Sequence, residues 1–191
     1  MRKQQYKPKV YKDNVKSNIV LIGFMASGKS TVARKLGGML KRKIVDIDRL
    51  IEEEEGRSIP KIFEESGETY FRELETKMLE RFKDSERMII SCGGGIVVKE
   101  SNIEKVKKCG IVVLLKIPPL VILERVLRNQ NRPMLQDNKN ESYIRELLEK
   151  RKENYKRAAD ITVFTDNKSI QMSCVEILKK VRRMEREKSD F

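Results

Sequence analysis

Histidine and tryptophan are both absent from this chain of 191 residues, and cysteine is scarce. Cys92, Cys109 and Cys174 are odd in number, and they form neither a CxxC pair nor a spacing typical of metal ligands. A zinc site needs a cluster of such ligands, and a disulfide framework needs an even set of cysteines. The composition therefore argues against both.

Long hydrophobic runs are also lacking. The longest apolar run near the middle of the chain, residues 111–115, ends at Lys116 and is far shorter than the roughly 20 residues that cross a membrane. Residues 1–17 are basic, but they lack the apolar stretch of a secretory signal. We therefore expect a cytoplasmic protein without a membrane partner, and the length suits a single domain.

Acidic residues are in deficit, because 42 Lys and Arg stand against 29 Asp and Glu, for a formal net charge of +13. Residues 1–16 and 179–191 together contribute +8 of this excess, which leaves +5 for the rest of the chain. Basic ends are usually solvated, whereas a mildly basic centre suits small polyanionic and carboxylate ligands. We expect no nucleic-acid partner.

Short apolar runs alternate with longer stretches of helical periodicity. Residues 18–23 form an apolar run that ends in glycine, and residues 30–40 follow with helical spacing, which predicts a strand, a turn and a helix. Further buried parallel strands are predicted at residues 43–45, 88–92, 111–117 and 161–165. Further helices are predicted at residues 58–82, 102–106, 120–127, 143–155 and 169–186. Because crossover helices cover both faces of a parallel sheet, we predict a three-layer α/β/α fold, with a mobile loop at 129–140.

A Walker A pattern occupies residues 23–30, with the sequence Gly-Phe-Met-Ala-Ser-Gly-Lys-Ser. Gly28 allows a backbone turn in which successive N–H groups point at phosphate oxygens beside a helix N-terminus. Lys29 would reach the β- and γ-phosphates, and the Ser30 hydroxyl would ligate Mg²⁺. A chance glycine turn is the alternative, but the pattern lies between a predicted strand and helix, as the mechanism requires. We therefore predict ATP and Mg²⁺ as ligands, with a nucleotide-binding loop of Ala26, Ser27, Gly28, Lys29, Ser30 and Thr31.

Two carboxylates, Asp46 and Asp48, follow the second predicted strand. Residues two apart in an extended segment project to the same side, so both would face one site. A carboxylate near the γ-phosphate accepts a hydrogen bond from an acceptor hydroxyl or holds Mg²⁺ through water. The alternative is an acidic helix N-cap, which the pair taken alone favours.

Three further features are weak when taken singly. Arg72 and Glu75 are neighbours at i and i+3 on a predicted helix, where a held guanidinium offers a fork that fits a carboxylate, but most such pairs are surface ion pairs. Residues 93–95 are three glycines after the third strand, at the sheet edge where ligands bind, and this position favours ligand approach over a structural turn. Arg132, before a proline, and Arg151 are candidates for neutralising transferred phosphate, although surface arginines are plentiful.

In this combined order, the motifs resemble the shikimate kinase family. The resemblance covers residues 18 to about 166 and rests on residues 23–30, 46–48, 56–59, 71–72, 93–95, 132–133 and 151. It implies a fold like that of nucleoside monophosphate kinases, with a five-stranded parallel sheet, a substrate-binding region after the second strand and a lid. It also implies transfer of the ATP γ-phosphoryl group to the 3-hydroxyl of shikimate, on the route to chorismate and the aromatic amino acids.

The resemblance also implies roles for single residues. Asp48 would be the partner of the reacting hydroxyl, and Asp46 would support Mg²⁺ through water. Arg132 would be the lid arginine over the phosphates, and Arg125 would lie beside the adenine, with Arg128 as the alternative. The catalytic residues implied are Lys29, Asp48 and Arg132. The implied substrate-binding residues are Asp48, Phe63, Phe71, Arg72, Gly93, Gly94, Gly95 and Arg151, with Glu75 orienting Arg72.

The expected organisation is one monomeric kinase domain at residues 18–180, with a lid at about 129–140. Residues 1–17 would be a flexible basic extension and residues 181–191 a charged tail. Many family members carry glycine where this chain has Ala26, a position that the Walker A pattern leaves free. The alternatives are a related kinase of gluconate or a nucleoside monophosphate, a P-loop switch or nucleic-acid-binding module, and a kinase-like protein that has lost activity. We find no NKxD motif and no aromatic-rich RNA-binding strand.

Overall fold

The computed structural model describes residues 11, 13–128 and 140–189. Arg132 and the predicted lid, apart from Asn140, lie outside these residues. The strands are β1 Ile19–Ile22, β2 Ile44–Asp46, β3 Ile89–Ser91, β4 Ile111–Lys116 and β5 Ile161–Phe164. The helices are α1 Lys29–Leu40, α2 Ile47–Glu55, α3 Ile59–Phe82, α4 Ser101–Lys108, α5 Pro119–Leu127, α6 Glu141–Ala158 and α7 Ile170–Ser189.

The five strands form one parallel sheet in the order β2-β3-β1-β4-β5. Side chains of a strand alternate between the two faces, and β1 shows this directly. Val20 and Ile22 pack into a core with α2, α3 and α4, whereas Ile19 and Leu21 pack into a second core with α1 and α7. The predicted three-layer α/β fold is therefore confirmed. Among the described residues, no helix is both long and apolar enough to cross a membrane.

The ends of the folded unit differ from the predicted boundaries. Val15 is buried in the core beside α1 and α7, although we expected a flexible extension through residue 17. Asp13 forms an ion pair with the buried Arg42 and a second one with Arg87, which ties the segment to the domain. Helix α7 continues to Ser189, past residue 180, where we expected the kinase domain to end. Among the described residues near the two ends, the backbone N–H groups of Lys16 and Ser17 also donate hydrogen bonds to the Glu185 carboxylate.

Helix α3 is interrupted at Gly67, which the sequence pattern did not predict. The backbone angles of Gly67 (φ 79°, ψ 169°) are not helical and belong to a region that is essentially restricted to glycine. A Cβ at this position would meet no atom within 4 Å, so the backbone angles and not lack of space require glycine. The break separates residues 59–66 from residues 68–82, and the second segment carries Arg72 and Glu75.

Replacement of Gly67 by alanine should lower the free energy of unfolding by about 1–3 kcal/mol, because the alanine would be held in a disfavoured backbone conformation. Gly38 is the matched control, since it lies inside α1 and a Cβ there would also meet nothing within 4 Å. Gly38→Ala should raise the free energy of unfolding by roughly 0.5–1 kcal/mol. Both changes in the free energy of unfolding can be measured from the denaturant concentrations at the unfolding midpoints, provided that the dependence of the free energy on denaturant (the m-value) is unchanged. Equal shifts in the same direction would contradict the assignment of the break to backbone conformation.

Candidate active site

The Walker A loop joins β1 to α1 at the carboxyl edge of the sheet, where β1 lies between β3 and β4. Ligands of open α/β sheets bind at such a point, because the connections leave in opposite directions. Gly28 adopts φ 93° directly before α1, as the pattern predicts. The Lys29 ammonium donates hydrogen bonds to the carbonyls of Gly23 and Phe24 at 2.9 and 3.0 Å. The lysine thus curves back over its own loop and faces the space that the loop surrounds.

A cavity of about 480 Å³ lies against this loop. Its floor combines the loop with residues from the ends of β2, β3 and β5 and from α5. The lining residues include the predicted Ala26, Ser27, Gly28, Lys29, Ser30, Thr31, Asp46, Asp48, Gly94, Arg125 and Arg128, and also Cys92, Thr165, Lys168 and Ile170. The cavity is therefore built from the predicted nucleotide loop and from strand ends that neighbour it.

The sequence left open whether Asp46 and Asp48 cap a helix or face the site, and the structure gives the two residues different positions. Asp46 is the N-cap of α2, and its Oδ1 accepts a hydrogen bond from the Arg49 backbone N–H at 3.5 Å. The Ser30 hydroxyl donates to Asp46 Oδ2 at 2.9 Å. Asp48 lies in the first turn of α2 and lines the cavity. The cap interpretation therefore holds for Asp46, while Asp48 is placed on the side of the site.

The Ser30 hydroxyl and the Asp46 carboxylate suit a Mg²⁺ ion. Both are oxygen ligands of the kind that Mg²⁺ prefers, and they meet at the edge of the cavity. In the part of the chain that the structure describes, no group of three acidic, cysteine or histidine side chains is arranged for a metal. A Mg²⁺ ion here would complete its shell with water and phosphate oxygens, as this ion usually does.

The glycines at 93–95 are closely surrounded, Gly93 and Gly95 by charged side-chain ends and Gly94 by the backbone N of Met25, which a Cβ would approach to 2.9 Å. A Cβ on Gly93 would lie 2.4 Å from Asp48 Oδ1 and 2.7 Å from Glu75 Oε1, and one on Gly95 would lie 2.4 Å from Arg72 Nη1. We expected these glycines to admit a ligand. In the structure, Gly93 and Gly95 lie against the acidic and basic side chains of the site, and Asp48 Oδ1 and Glu75 Oε1 are within about 5 Å of each other; approach of a ligand stays a prediction.

Arg72 and Arg151 converge on the glycine turn although 79 positions separate them. Arg72 packs against Gly95, and its guanidinium carbon lies 5.4 Å from the Phe71 ring centroid and 6.0 Å from that of Phe63. Arg151 Nη1 donates to the carbonyl of Gly94 at 3.3 Å. The two helices α3 and α6 therefore deliver one guanidinium each to the same turn.

Glu75 is fully buried and holds Arg72 through a 2.7 Å ion pair between its Oε2 and Arg72 Nη1. Its Oε1 has no hydrogen-bond partner among the described residues. Burial raises the pKa of Glu75 to about 7; the charge of Arg72 opposes this rise, and the negative charge of Asp48 adds to it. Near neutral pH, Glu75 is thus divided between its neutral and ionised forms.

Sequence reasoning missed several residues of the site. Tyr155 donates a hydrogen bond to the Gly94 carbonyl at 2.7 Å, and burial raises the pKa of Tyr155 to about 12, so the hydroxyl remains a donor. The Arg151 guanidinium carbon lies 5.3 Å from the Phe24 ring centroid, and no local sequence pattern predicts this contact. Thr165 lines the cavity directly after β5, and the rule that ligands bind at the carboxyl ends of strands would have found it.

The parallel sheet, the Walker A loop and the acidic residues facing it define a P-loop phosphotransferase. A family model described as shikimate kinase matches residues 25–182. The chain is 46% identical over 165 residues to a shikimate kinase of Persephonella marina, covering 86% of this chain and 99% of that protein. It is 44% identical to one of Sulfurihydrogenibium sp. over 166 residues, with 87% and 98% covered. The chain belongs to the shikimate kinase family.

Solved structures agree with this assignment. The shikimate kinase from Acinetobacter baumannii, solved in complex with shikimate, is 36% identical with a TM-score of 0.83, over 87% of this chain and 93% of that chain. A gluconokinase from Sinorhizobium meliloti is 20% identical with a TM-score of 0.55 over 88% and 93%, which shows a shared fold alone. The protein is accordingly an ATP-dependent kinase that acts on shikimate, and the gluconate alternative is not favoured.

The raised pKa of Glu75 predicts a pH-dependent stability. The ordinary pKa of the group is 4.5, so between pH 4.5 and about 7 the folded protein binds more protons at Glu75 than the unfolded chain does. Stability from this group is therefore full below pH 4.5 and is lost as the pH rises through about 7. Glutamine does not titrate, so Glu75→Gln does not lose this stability as the pH rises. Between pH 4.5 and about 7, the free energy of unfolding of Glu75→Gln should therefore rise relative to that of wild type by up to about 3 kcal/mol. A difference between the two proteins that stays constant with pH would contradict the buried, proton-holding carboxyl.

Proposed function

We propose that Lys29, Asp48, Arg72 and Arg151 carry the transfer of the ATP γ-phosphoryl group to the 3-hydroxyl of shikimate. The observation that carries this proposal is the position of Asp48. Its carboxylate lines the cavity beside the Walker A loop, and it also packs against Gly93, on the turn that both arginines contact. A group in that position is within reach of a donor on one side and of a carboxylate-anchored acceptor on the other.

The nucleotide side of the proposal rests on the loop around Lys29. The ammonium already bonds to two loop carbonyls, so it is held facing the cavity without a reorganisation of the chain. Ser30 and, through water, Asp46 would hold Mg²⁺, which supplies charge neutralisation at the phosphates. Arg125 donates to the Ala26 carbonyl at 3.0 Å, and Arg128 lines the same cavity, so both remain candidates for the adenine.

The acceptor side rests on Asp48 and the two arginines. Asp48 accepts the proton of the attacking hydroxyl as the phosphoryl group is transferred. Arg72 and Arg151 bind the acceptor carboxylate and so align the hydroxyl, with Phe63 and Phe71 at the side of the subsite. The Gly94 N–H donates to the acceptor. Correct alignment of the reacting groups is a large part of catalysis in phosphoryl transfer, where the protein does little covalent chemistry.

Further parts of the proposal concern the rest of the chain. Arg132 would neutralise charge on the transferred group from a lid at about 129–140. We also propose a single kinase domain, now extended to residues 13–189, that works as a cytoplasmic monomer. We also propose that the partners are shikimate and ATP and that nucleic acid is not a partner; on α7, Lys180 and Arg183 are already paired with Glu176 and Glu187.

Asp48→Asn should lower kcat by about 10²–10⁴ with little change in the KM for shikimate, because an amide of the same shape is a poor proton acceptor. Asp46→Asn is the matched control, two residues earlier on the same segment. Asparagine is a good N-cap, so α2 should persist. Asp46→Asn should lower kcat through weaker Mg²⁺ binding, and a raised Mg²⁺ concentration should restore part of that activity. Coupled ADP release, measured across Mg²⁺ concentrations, separates the two. A fall in kcat of less than about tenfold for Asp48→Asn would contradict the acceptor role.

Arg72→Lys should behave nearly as badly as Arg72→Ala, with a raised shikimate KM, a lowered kcat and an unchanged KM for ATP. An ammonium keeps the charge but loses the planar fork that fits a carboxylate. Arg81→Lys is the control, because Arg81 lies on the same helix and forms an exposed pair with Glu54. Steady-state kinetics with each substrate varied in turn gives all three constants. Near-normal kinetics of Arg72→Lys would show that no carboxylate is gripped at this position.

A further inference from the structure

The guanidinium of Arg72 is engaged on both of its edges. Its Nη1 binds Glu75, while its Nε and Nη2 donate to Oε1 of Glu68 at 3.1 and 2.7 Å. Glu68 therefore sits in the fork between Nε and Nη2. A forked donor pair of this kind is the feature that binds a carboxylate, so the group proposed to anchor the acceptor already holds a carboxylate of its own chain.

The two glutamates differ in how readily they can leave Arg72. The Glu75 side chain is wholly buried, whereas that of Glu68 is 51% exposed. Removal of Glu75 would leave a buried guanidinium without its buried counter-charge, at high cost. Glu68 can turn into solvent, where water hydrates its carboxylate and offsets part of the loss of its half-buried i,i+4 ion pair with Arg72.

The backbone beside Glu68 favours the same conclusion. Gly67 breaks α3 immediately before Glu68, so Glu68 begins the second segment of the helix. Its side chain reaches one turn forward to Arg72, as i,i+4 partners do. Nothing in the described contacts fixes Glu68 except this pair with Arg72. A rotation of the side chain is therefore enough to free the fork.

The charges around Arg72 explain why a third carboxylate cannot simply be added. One guanidinium already faces Glu68 and Glu75, and Asp48 lies beyond Glu75 across Gly93. By contrast, Arg151 has no ion pair with an acidic residue in the described part of the chain, so it is open to an incoming anion. An acceptor carboxylate would add like charge next to Glu68 unless Glu68 moved away.

We propose that Glu68 occupies the acceptor-carboxylate position on Arg72 in the unliganded enzyme, and that shikimate displaces it on binding. This inference rests on the proposed function, because it takes Arg72 to be the anchor of the acceptor. Glu68 then sets the affinity for the acceptor carboxylate. It lowers the affinity only for an acceptor whose own carboxylate takes the fork, because only such an acceptor must displace Glu68, and an acceptor that does not enter the fork is unaffected. The opposing view, that Glu68 positions Arg72 for the acceptor, predicts the opposite sign when the charge is removed.

Glu68→Gln provides the test, because it removes the competing charge at nearly constant shape. The Kd and KM for shikimate should fall by about two- to fivefold, with kcat and the KM for ATP within twofold of wild type. Glu73→Gln is the control for net charge, since Glu73 is exposed on the same helix and, in the described part of the chain, the ion pairs of Arg72 are with Glu68 and Glu75. It should change the shikimate constants by less than 1.5-fold or so, as distant exposed charges are screened.

A second arm uses shikimate whose carboxylate has been reduced to a hydroxymethyl group. Because this analogue does not enter the fork, Glu68→Gln should bind it no better than wild type does. An unchanged or raised shikimate Kd in folded Glu68→Gln, or an equal gain for the analogue, would overturn the displacement while leaving the kinase assignment intact. Wild type that releases no ADP in response to shikimate would instead overturn the proposed function, and the inference with it.

Discussion

The close packing of three charged side chains against the glycine turn at 93–95 is the constraint on which the rest of the site depends. Asp48 comes from α2, and Arg72 and Glu75 come from α3, yet all three approach the turn so closely that a Cβ would clash. The turn follows β3, which lies between β2 and β1 in the sheet. Because residues 93–95 have no side chains, Asp48, Arg72 and Glu75 can pack close to the turn that lies beside the Walker A loop.

The two glutamates that pair with Arg72 differ in burial and therefore in how easily their side chains can move. Glu75 is held inside the protein with one oxygen on Arg72, and its pKa is raised to about 7 because burial penalises the ionised form. Glu68 binds the same guanidinium from a half-exposed position. One arginine thus has a permanent partner and an exchangeable one. The permanent partner fixes the fork in space, and the exchangeable partner keeps the fork satisfied until an acceptor arrives.

Asp46 links the stability of the fold to the chemistry of the site. Its Oδ1 caps α2, and its Oδ2 accepts from the Ser30 hydroxyl. The start of α2 is therefore fixed against the start of α1, and this cap also fixes the position of Asp48, which lies in the first turn of α2. The order of the two carboxylates is a structural necessity, because a cap must precede its helix while a side chain in the first turn can face the cavity.

The sequence by itself determined the α/β class, the parallel sheet, the Walker A loop and the family, because each of these is encoded in neighbouring residues or in the order of short motifs. The order of motifs also selected Asp48, Arg72 and Arg151, but not how they meet. Tertiary structure alone decided which carboxylate caps α2, how deeply Glu75 is buried, that Glu68 fills the fork of Arg72, and that α3 breaks at Gly67. The role of Arg132 stays a prediction. Local patterns specify backbone and side-chain type, whereas burial and charge pairing depend on segments that are distant in the chain and meet only when it folds.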